Sequence, residues 1–348
     1  MTNPRTRIKK INVKDAVGLS LAHDITEIRA DEFKGVAFPR GHLVQEKDIC
    51  HLQRLGKQHL YVLDLDAAAV HEDEAVLEMV RSLSGSGIGF SPAPREGKIE
   101  LYASHDGLLK VNKKGLTAFN LLPDVMCASV HTNTPVKKNN RVAGTRAIPL
   151  VIDRRVLDQA LETARQYYPV FHVKPYQTAK ARLIITGTEI FNGLVQDRFK
   201  PIVQKKLSDL GAVLVETVIL PDDRKMISKT LTEFIENGTD LIITTGGMSV
   251  DPDDVTRLAV QDAGADRLFY SAAVLPGAMF QIAYKNQTPI MGIPACALYH
   301  RVTVFDLVLP RILAGETVTD RDLAELAHGG LCLDCEACTF PACSFGKS

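Results

Sequence analysis

The residues best suited to hold a charged ligand stand where apolar runs stop. Residues 183–190 read Leu-Ile-Ile-Thr-Gly-Thr-Glu-Ile, and residues 240–250 read Asp-Leu-Ile-Ile-Thr-Thr-Gly-Gly-Met-Ser-Val. Thr186, Gly187, Thr188 and Glu189 end the first run, and Asp222 and Asp223 follow a second at 213–220. Gly246, Gly247, Ser249, Asp251 and Asp254 end the third. Glycine at a strand end lets backbone approach a ligand closely. Backbone N–H groups at Gly246-Gly247 and at a helix start near 252–254 suit a phosphate, to which Ser249 could add a hydroxyl. Several carboxylates converging on one cleft call for a cation or a bound proton. The plainer alternatives are a tight turn at Gly246-Gly247, a turn former at Asp222 and an exposed helix-start charge at Asp254.

Four thiols form a second set. Cys332, Cys335, Cys338 and Cys343 fall within 12 residues, with Pro341 two before the last. Cys-x2-Cys-x2-Cys opens many iron–sulfur runs, whereas structural zinc pairs Cys-x2-Cys units across a longer gap. A [4Fe-4S] cluster, Zn2+ and a thiol tail without metal are all open. Cys50, Cys127 and Cys296 are scattered, and a chain without an export signal keeps its thiols reduced, so a metal is favoured over disulfides.

Elements must position these groups. β-Branched runs without polar alternation predict strands buried on both faces. Helical periodicity at 197–210 and 223–236 flanks the strand at 213–220, so strand, helix, strand, helix and strand succeed one another. That rhythm predicts a parallel sheet with right-handed crossovers and a ligand off its carboxyl ends. A long apolar helix over 298–313 meets Pro310 near its end, and Gly315 is a suitable stop.

This succession resembles the molybdopterin-binding domain shared by molybdenum-insertion and molybdopterin-adenylylating proteins. The family pattern runs Thr-Gly-Asp-Glu, a paired Asp, Ser-Gly-Gly-Val-Ser-Val-Gly with a later Asp, Pro-Gly, and Leu-Pro-Gly-Asn-Pro. Its counterparts here are Thr186 to Glu189, Asp222-Asp223, Thr245 to Val250 with Asp254, Pro276-Gly277, and Ile293-Pro294-Ala295-Cys296-Ala297. The resemblance implies a three-layer α/β parallel-sheet domain that binds molybdopterin or its adenylylated form. It also implies that Glu189, Asp223 and Asp254 hold Mg2+ and position molybdate, and that the protein is a homodimer. The family's first Asp is Thr188 here, its glycine after Ser-Val is Asp251, and Gly-Asn-Pro is Ala-Cys-Ala. Those departures favour binding over catalysis. Cys296 either touches the ligand or is a buried structural thiol. Three functions are open: a protein of molybdenum-cofactor biosynthesis that extends to molybdate insertion, a non-catalytic carrier or sensor serving an iron–sulfur molybdoenzyme, or a metal-dependent regulator driven by the cysteine tail.

The rest of the chain divides into smaller parts. Residues 1–83 form an N-terminal α/β unit resembling a segment of the molybdenum-insertion proteins, 84–98 a glycine-bearing linker, and 99–153 a β-rich, barrel-like middle domain. A linking helix and connector occupy 154–178, the pterin domain 179–316 and the cysteine tail 317–348. Lys137 and Lys138 sit in a turn that could meet an anion, with a solvated turn the plainer reading. Within 348 residues, 41 Lys+Arg balance 41 Asp+Glu, which argues against a general nucleic-acid or membrane-surface binder. No run of 18 apolar residues occurs and the first ten residues lack a hydrophobic signal core, so a cytoplasmic protein is expected.

Overall fold

The computed structural model describes residues 8–29, 33–63, 69–95, 97–247 and 255–347. They divide into two compact units, one comprising 1–104, 111–130 and 138–172, the other 105–110, 131–137 and 173–348.

The first unit opens with β1 (Ile8–Asn12), β2 (Ile25–Arg29), β3 (Phe33–Phe38), α1 (Ile49–Arg54) and β4 (His59–Leu63). β1 pairs antiparallel with β4, and β2 with β3, over a core of Val13, Leu21, Ile25, Phe38, Leu52 and Leu60. β5 (Ala69–His71) leads into α2 (Glu72–Leu83), followed by β6 (Ile88–Phe90) and β7 (Lys98–Ala103). β8 (Gly107–Val111) belongs chiefly to the second unit; then come α3 (Lys113–Asn120) and β9 (Val125–Ser129). β10 (Thr134–Val136) again belongs to the second unit, before β11 (Arg141–Ala147), β12 (Val151–Asp153) and α4 (Arg154–Gln166).

Strands β6, β7, β11 and β9 form an open antiparallel sheet in that order, not the expected small barrel. The sheet need not close on itself, because α2 buries Ala75, Val76, Met79, Val80 and Leu83 and packs against β7 and β11. The stretch read as a linker accordingly contains an edge strand, β6. α4 buries Leu157, Ala160, Leu161 and Ala164 and leaves Val156 half-buried, and the Asp153 carboxylate caps the helix by accepting from the Arg155 N–H at 2.8 Å.

The second unit continues with β13 (Phe171–Pro175), which pairs with β8 in a three-stranded sheet, order β10, β8, β13. The main sheet follows: β14 (Lys180–Thr186), α5 (Thr188–Phe191), α6 (Phe199–Asp209), β15 (Val213–Leu220), α7 (Arg224–Glu236), β16 (Leu241–Thr245) and α8 (Thr256–Asp262). β17 (Arg267–Tyr270), β18 (Gln281–Lys285), β19 (Thr288–Ile293), α9 (Val304–Leu313) and α10 (Asp320–Glu325) complete it. The order is β15, β14, β16, β19, β18, β17; the first four run parallel, and β18 and β17 add an antiparallel edge.

Alternate residues of the central strands serve two cores, which is what makes the domain three layers deep. Leu183, Ile185, Leu241, Ile243 and Met291 pack with α6 and α9; Ile184, Ile242 and Ile290 pack with Ile227, Leu231 and Phe234 of α7 and Ala259 and Val260 of α8. Each fully buried aliphatic side chain contributes about 1.5–3 kcal/mol. β15 departs from the fully buried pattern: as the edge strand it leaves Val213 and Val215 about half exposed. The helix expected over 298–313 begins only at Val304. Thr303 and Asp306 form a reciprocal cap there, and a short 3-10 turn at Ala295–Leu298 precedes it.

Candidate functional site at the carboxyl edge of the main sheet

Register decides where the predicted residues meet. Thr186 lies opposite Leu220, and Thr245 opposite both Ile185 and Ile293, so β14, β15, β16 and β19 end along one edge of the sheet. Thr186-Gly187, Asp222-Asp223, Gly246-Gly247 and Pro294 follow those ends in turn.

The two glycines after β16 have left-handed backbones, φ 84° and 55°. A Cβ on Gly246 would collide with the Thr186 carbonyl oxygen, and one on Gly247 would lie 2.5 Å from Thr256 Oγ1. Thr186 Oγ1 donates to the Thr245 carbonyl at 3.0 Å and lies 3.1 Å from Thr256 Oγ1, which ties β14, β16 and the start of α8 together. Beside this knot is a cavity of about 480 Å³ whose walls include Gly246, Gly247, Pro276, Gly277, Pro294 and Cys296. Leu275, Ala278 and Met279 make much of the remaining wall apolar. Gly277, at φ 126°, packs so tightly on the first turn of α9 that an added Cβ would stand 2.5 Å from Val304 Cγ1. Cys296 is half-buried, and burial pushes its thiol up, so it faces the cavity as a neutral group.

Asp222 and Asp223 are engaged elsewhere. Asp222 Oδ2 accepts from the Thr188 N–H at 2.8 Å and from Thr188 Oγ1 at 3.0 Å, while the Asp222 N–H donates back to that hydroxyl at 3.2 Å. The threonine that replaces an aspartate of the family pattern thus clasps the ends of β14 and β15. Asp223 Oδ1 accepts from the N–H groups of Lys225 and Met226, both at 2.9 Å, capping α7. Glu189 is exposed, its carboxylate folded back over Gly187. None of the three lines the cavity. Among the described residues no three His, Cys, Asp or Glu side chains gather as a metal site; Asp254, expected beside Glu189 and Asp223 around Mg2+, lies outside those residues. Ser249, Asp251 and Asp254 lie outside the described residues.

Two residues escaped the sequence reading. Thr244 on β16 and Gln281 on β18 both stand opposite Gly292 of β19, the strand between them, one row back from the ends of β16 and β19. Both are fully buried, and Thr244 Oγ1 and both amide atoms of Gln281 lack a partner among the described residues. An orphaned buried polar group costs about 1–3 kcal/mol, which marks this row as a place for a ligand group or ordered water. A glutamine at the head of the run Ile282-Ala283-Tyr284 in the strand Gln281–Lys285 was the available signal.

The cysteine tail also differs from expectation. Cys332 and Cys343 pack against the main core while Cys335 and Cys338 are exposed, so the four thiols are not gathered on a [4Fe-4S] cluster or Zn2+. Lys137 is held too: its Nζ reaches Asp106 Oδ2 at 2.9 Å and the Asp209 carbonyl at 3.1 Å.

Comparison with known proteins follows the same division. Residues 182–314 match the family described as "Probable molybdopterin binding domain", and residues 10–64 match a domain of unknown function. CinA-like proteins of Mycobacterium tuberculosis and Mycobacterium leprae are 40% and 39% identical over 79 residues, 23% of this chain and 18% of each relative. The match therefore spans under a fifth of those relatives' length. Among solved structures, the molybdopterin biosynthesis enzyme MoaB of Thermus thermophilus aligns at 21% identity and TM-score 0.35, over 40% of this chain and 98% of that one. The CinA protein of unknown function from Thermoplasma acidophilum aligns at 14% and 0.35, over 39% and 98%. No described helix is long and apolar enough to cross a membrane. Residues 182–314, less than half of the chain, are thus the part similar to the molybdopterin-binding domain family.

Proposed function

We propose that this protein binds molybdopterin, or its adenylylated form, at the carboxyl edge of the main sheet and acts in molybdenum-cofactor biosynthesis. The observation that carries the reading is the cavity where Gly246-Gly247, Pro276-Gly277 and Pro294-Cys296 come together, within the family-matched residues. Side-chain-free backbone on one wall suits an anionic phosphate, and the apolar wall of Leu275 and Met279 suits the flat pterin. Insertion of molybdate is the finer form of this reading. Holding the cofactor without chemistry, as a carrier for a molybdoenzyme, is the rival, and it is favoured by the engagement of Asp222 with Thr188 and of Asp223 with the α7 backbone. A homodimer is part of the proposal, to be checked by sedimentation.

Titration of the full chain with molybdopterin tests binding. Ala295 is exposed and lines the cavity, so Ala295→Trp should fill it, weaken binding at least about tenfold and leave the melting temperature unchanged. Undiminished binding by that variant would place the ligand elsewhere. Adenylylated molybdopterin with molybdate and Mg2+ then separates the two forms: nucleotide release supports insertion, and tight binding without release supports the carrier.

A further inference from the structure

A second cavity lies wholly within the first unit. It encloses about 350 Å³, and its walls include His23, Arg40, Tyr61, His71, Asp73 and Arg146. A pocket of that size suits a small organic molecule. Backbone pairing sets one side of it: the Ala22 N–H donates to the Tyr61 carbonyl at 3.0 Å, which brings His23 beside the tyrosine with ring centres 6.2 Å apart. His71 is buried and spends both ring nitrogens. Its Nε2 donates to the Ala22 carbonyl at 3.0 Å, and its Nδ1 accepts from the Asp73 N–H at 3.2 Å. It is thus a neutral prop at the start of α2.

Most charges in the wall are matched. The Arg40 guanidinium lies 3.5 Å from Asp73 Oδ2 and 3.7 Å from Glu74 Oε1, and the Arg40 N–H donates to Asp24 Oδ1 at 2.6 Å. Glu72 is buried, with its carboxylate against the backbone of Gly97. Two groups are left over. Arg146, on β11, has no carboxylate partner among the described residues, and its Nε–H is buried without an acceptor. His23 Nδ1 is likewise buried without a partner. Burial first, and the charge of Lys57 second, lower the pKa of His23, so at neutral pH its ring adds a hydrogen bond and no second charge. One uncompensated guanidinium calls for one negative charge, and its hydrogen bond to a carboxylate is of the stronger, charge-assisted kind.

We propose that this cavity binds a small organic monocarboxylate. The carboxylate accepts from Arg146 Nε–H and from His23 in its Nδ1–H form, and the apolar body of the ligand lies against Tyr61, Ile148 and Leu150. A dianion such as phosphate is disfavoured by Asp24, Glu72 and Asp73 in the same wall. The site shares no residue with the cavity at the edge of the main sheet, so it stands whether or not the chain binds a pterin.

The test titrates the full chain with benzoate, with benzamide as its uncharged counterpart, and with inorganic phosphate. Benzoate should bind one per chain, at least about tenfold more tightly than either of the others, and shift the nitrogen resonance of His23 Nδ1. Arg146→Gln should remove the preference for benzoate over benzamide. Ile148→Glu changes an exposed side chain of the wall, so it should keep the melting temperature and weaken benzoate binding at least about tenfold, which decides the matter even if Arg146→Gln does not fold. Absence of saturable benzoate binding, equal affinity for benzamide, tighter binding of phosphate, or an unmoved His23 resonance overturns the proposal.

Discussion

Asp223 shows how one side chain can satisfy a family pattern and a local structural need at once. Its carboxylate caps α7 through two backbone N–H groups, a role asparagine can share and alanine cannot. Asp223→Asn should therefore keep stability within about 0.5 kcal/mol, whereas Asp223→Ala should lose about 1 kcal/mol in urea denaturation. If Asp223→Asn abolished nucleotide release while leaving stability intact, the carboxylate would have a chemical role beyond the cap. Thr188 and Asp222 were visible as a departure and a candidate site, but their mutual clasp was not. It joins residues 34 apart in the chain, and only strand register brings them within reach.

At the element scale, the segment after α9 is held by a charged cluster. Arg311 Nε donates to Glu316 Oε2 at 2.9 Å and Nη2 to Asp322 Oδ1 at 2.6 Å, while Lys110 Nζ stands 2.7 Å from Glu316 Oε1. Burial, the largest single influence, pushes both carboxyls up. Hydrogen bonds from Lys110 and Arg311 to Glu316, and from Thr319 and Arg311 to Asp322, together outweigh it and leave both below their usual range. Burial also pulls Lys110 down despite its partner, so Arg311, which stays charged, is the firmer anchor. Folded-state carboxyls with depressed pKa stabilise above the unfolded value, and that stability drains as pH falls through the folded one. Urea midpoints should accordingly drop below about pH 4.5, and Glu316→Gln should flatten that decline while lowering stability at neutral pH. A Glu316→Gln protein with an unchanged acid limb would show that the cluster contributes little.

On the scale of the whole molecule, the family-matched segment is not the folding unit. β8 and β10, from 105–110 and 131–137, complete a sheet with β13, and Lys110 completes the Glu316 cluster. Expressing residues 173–348 alone should give a lower melting temperature and more self-association than the full chain, because an unpaired β13 edge is exposed; equal behaviour would show that those strands are dispensable. The periodicities of α6 and α7 and the apolar runs of β14 and β16 were legible because each is set by neighbours three or four residues away, or two. Sequence by itself thus determined the parallel core, the strand-end glycines and the resemblance carried by residues 182–314. Tertiary structure alone decided that β18 and β17 extend the sheet antiparallel, that helices cover the middle sheet in place of a closed barrel, and that the thiols are parted. It also decided that the carboxylates cap and clasp while the cavity is walled by glycine, proline and apolar groups. These outcomes depend on which distant backbone donor or hydrophobic face wins a given side chain, and that competition is settled only when the strands come into register.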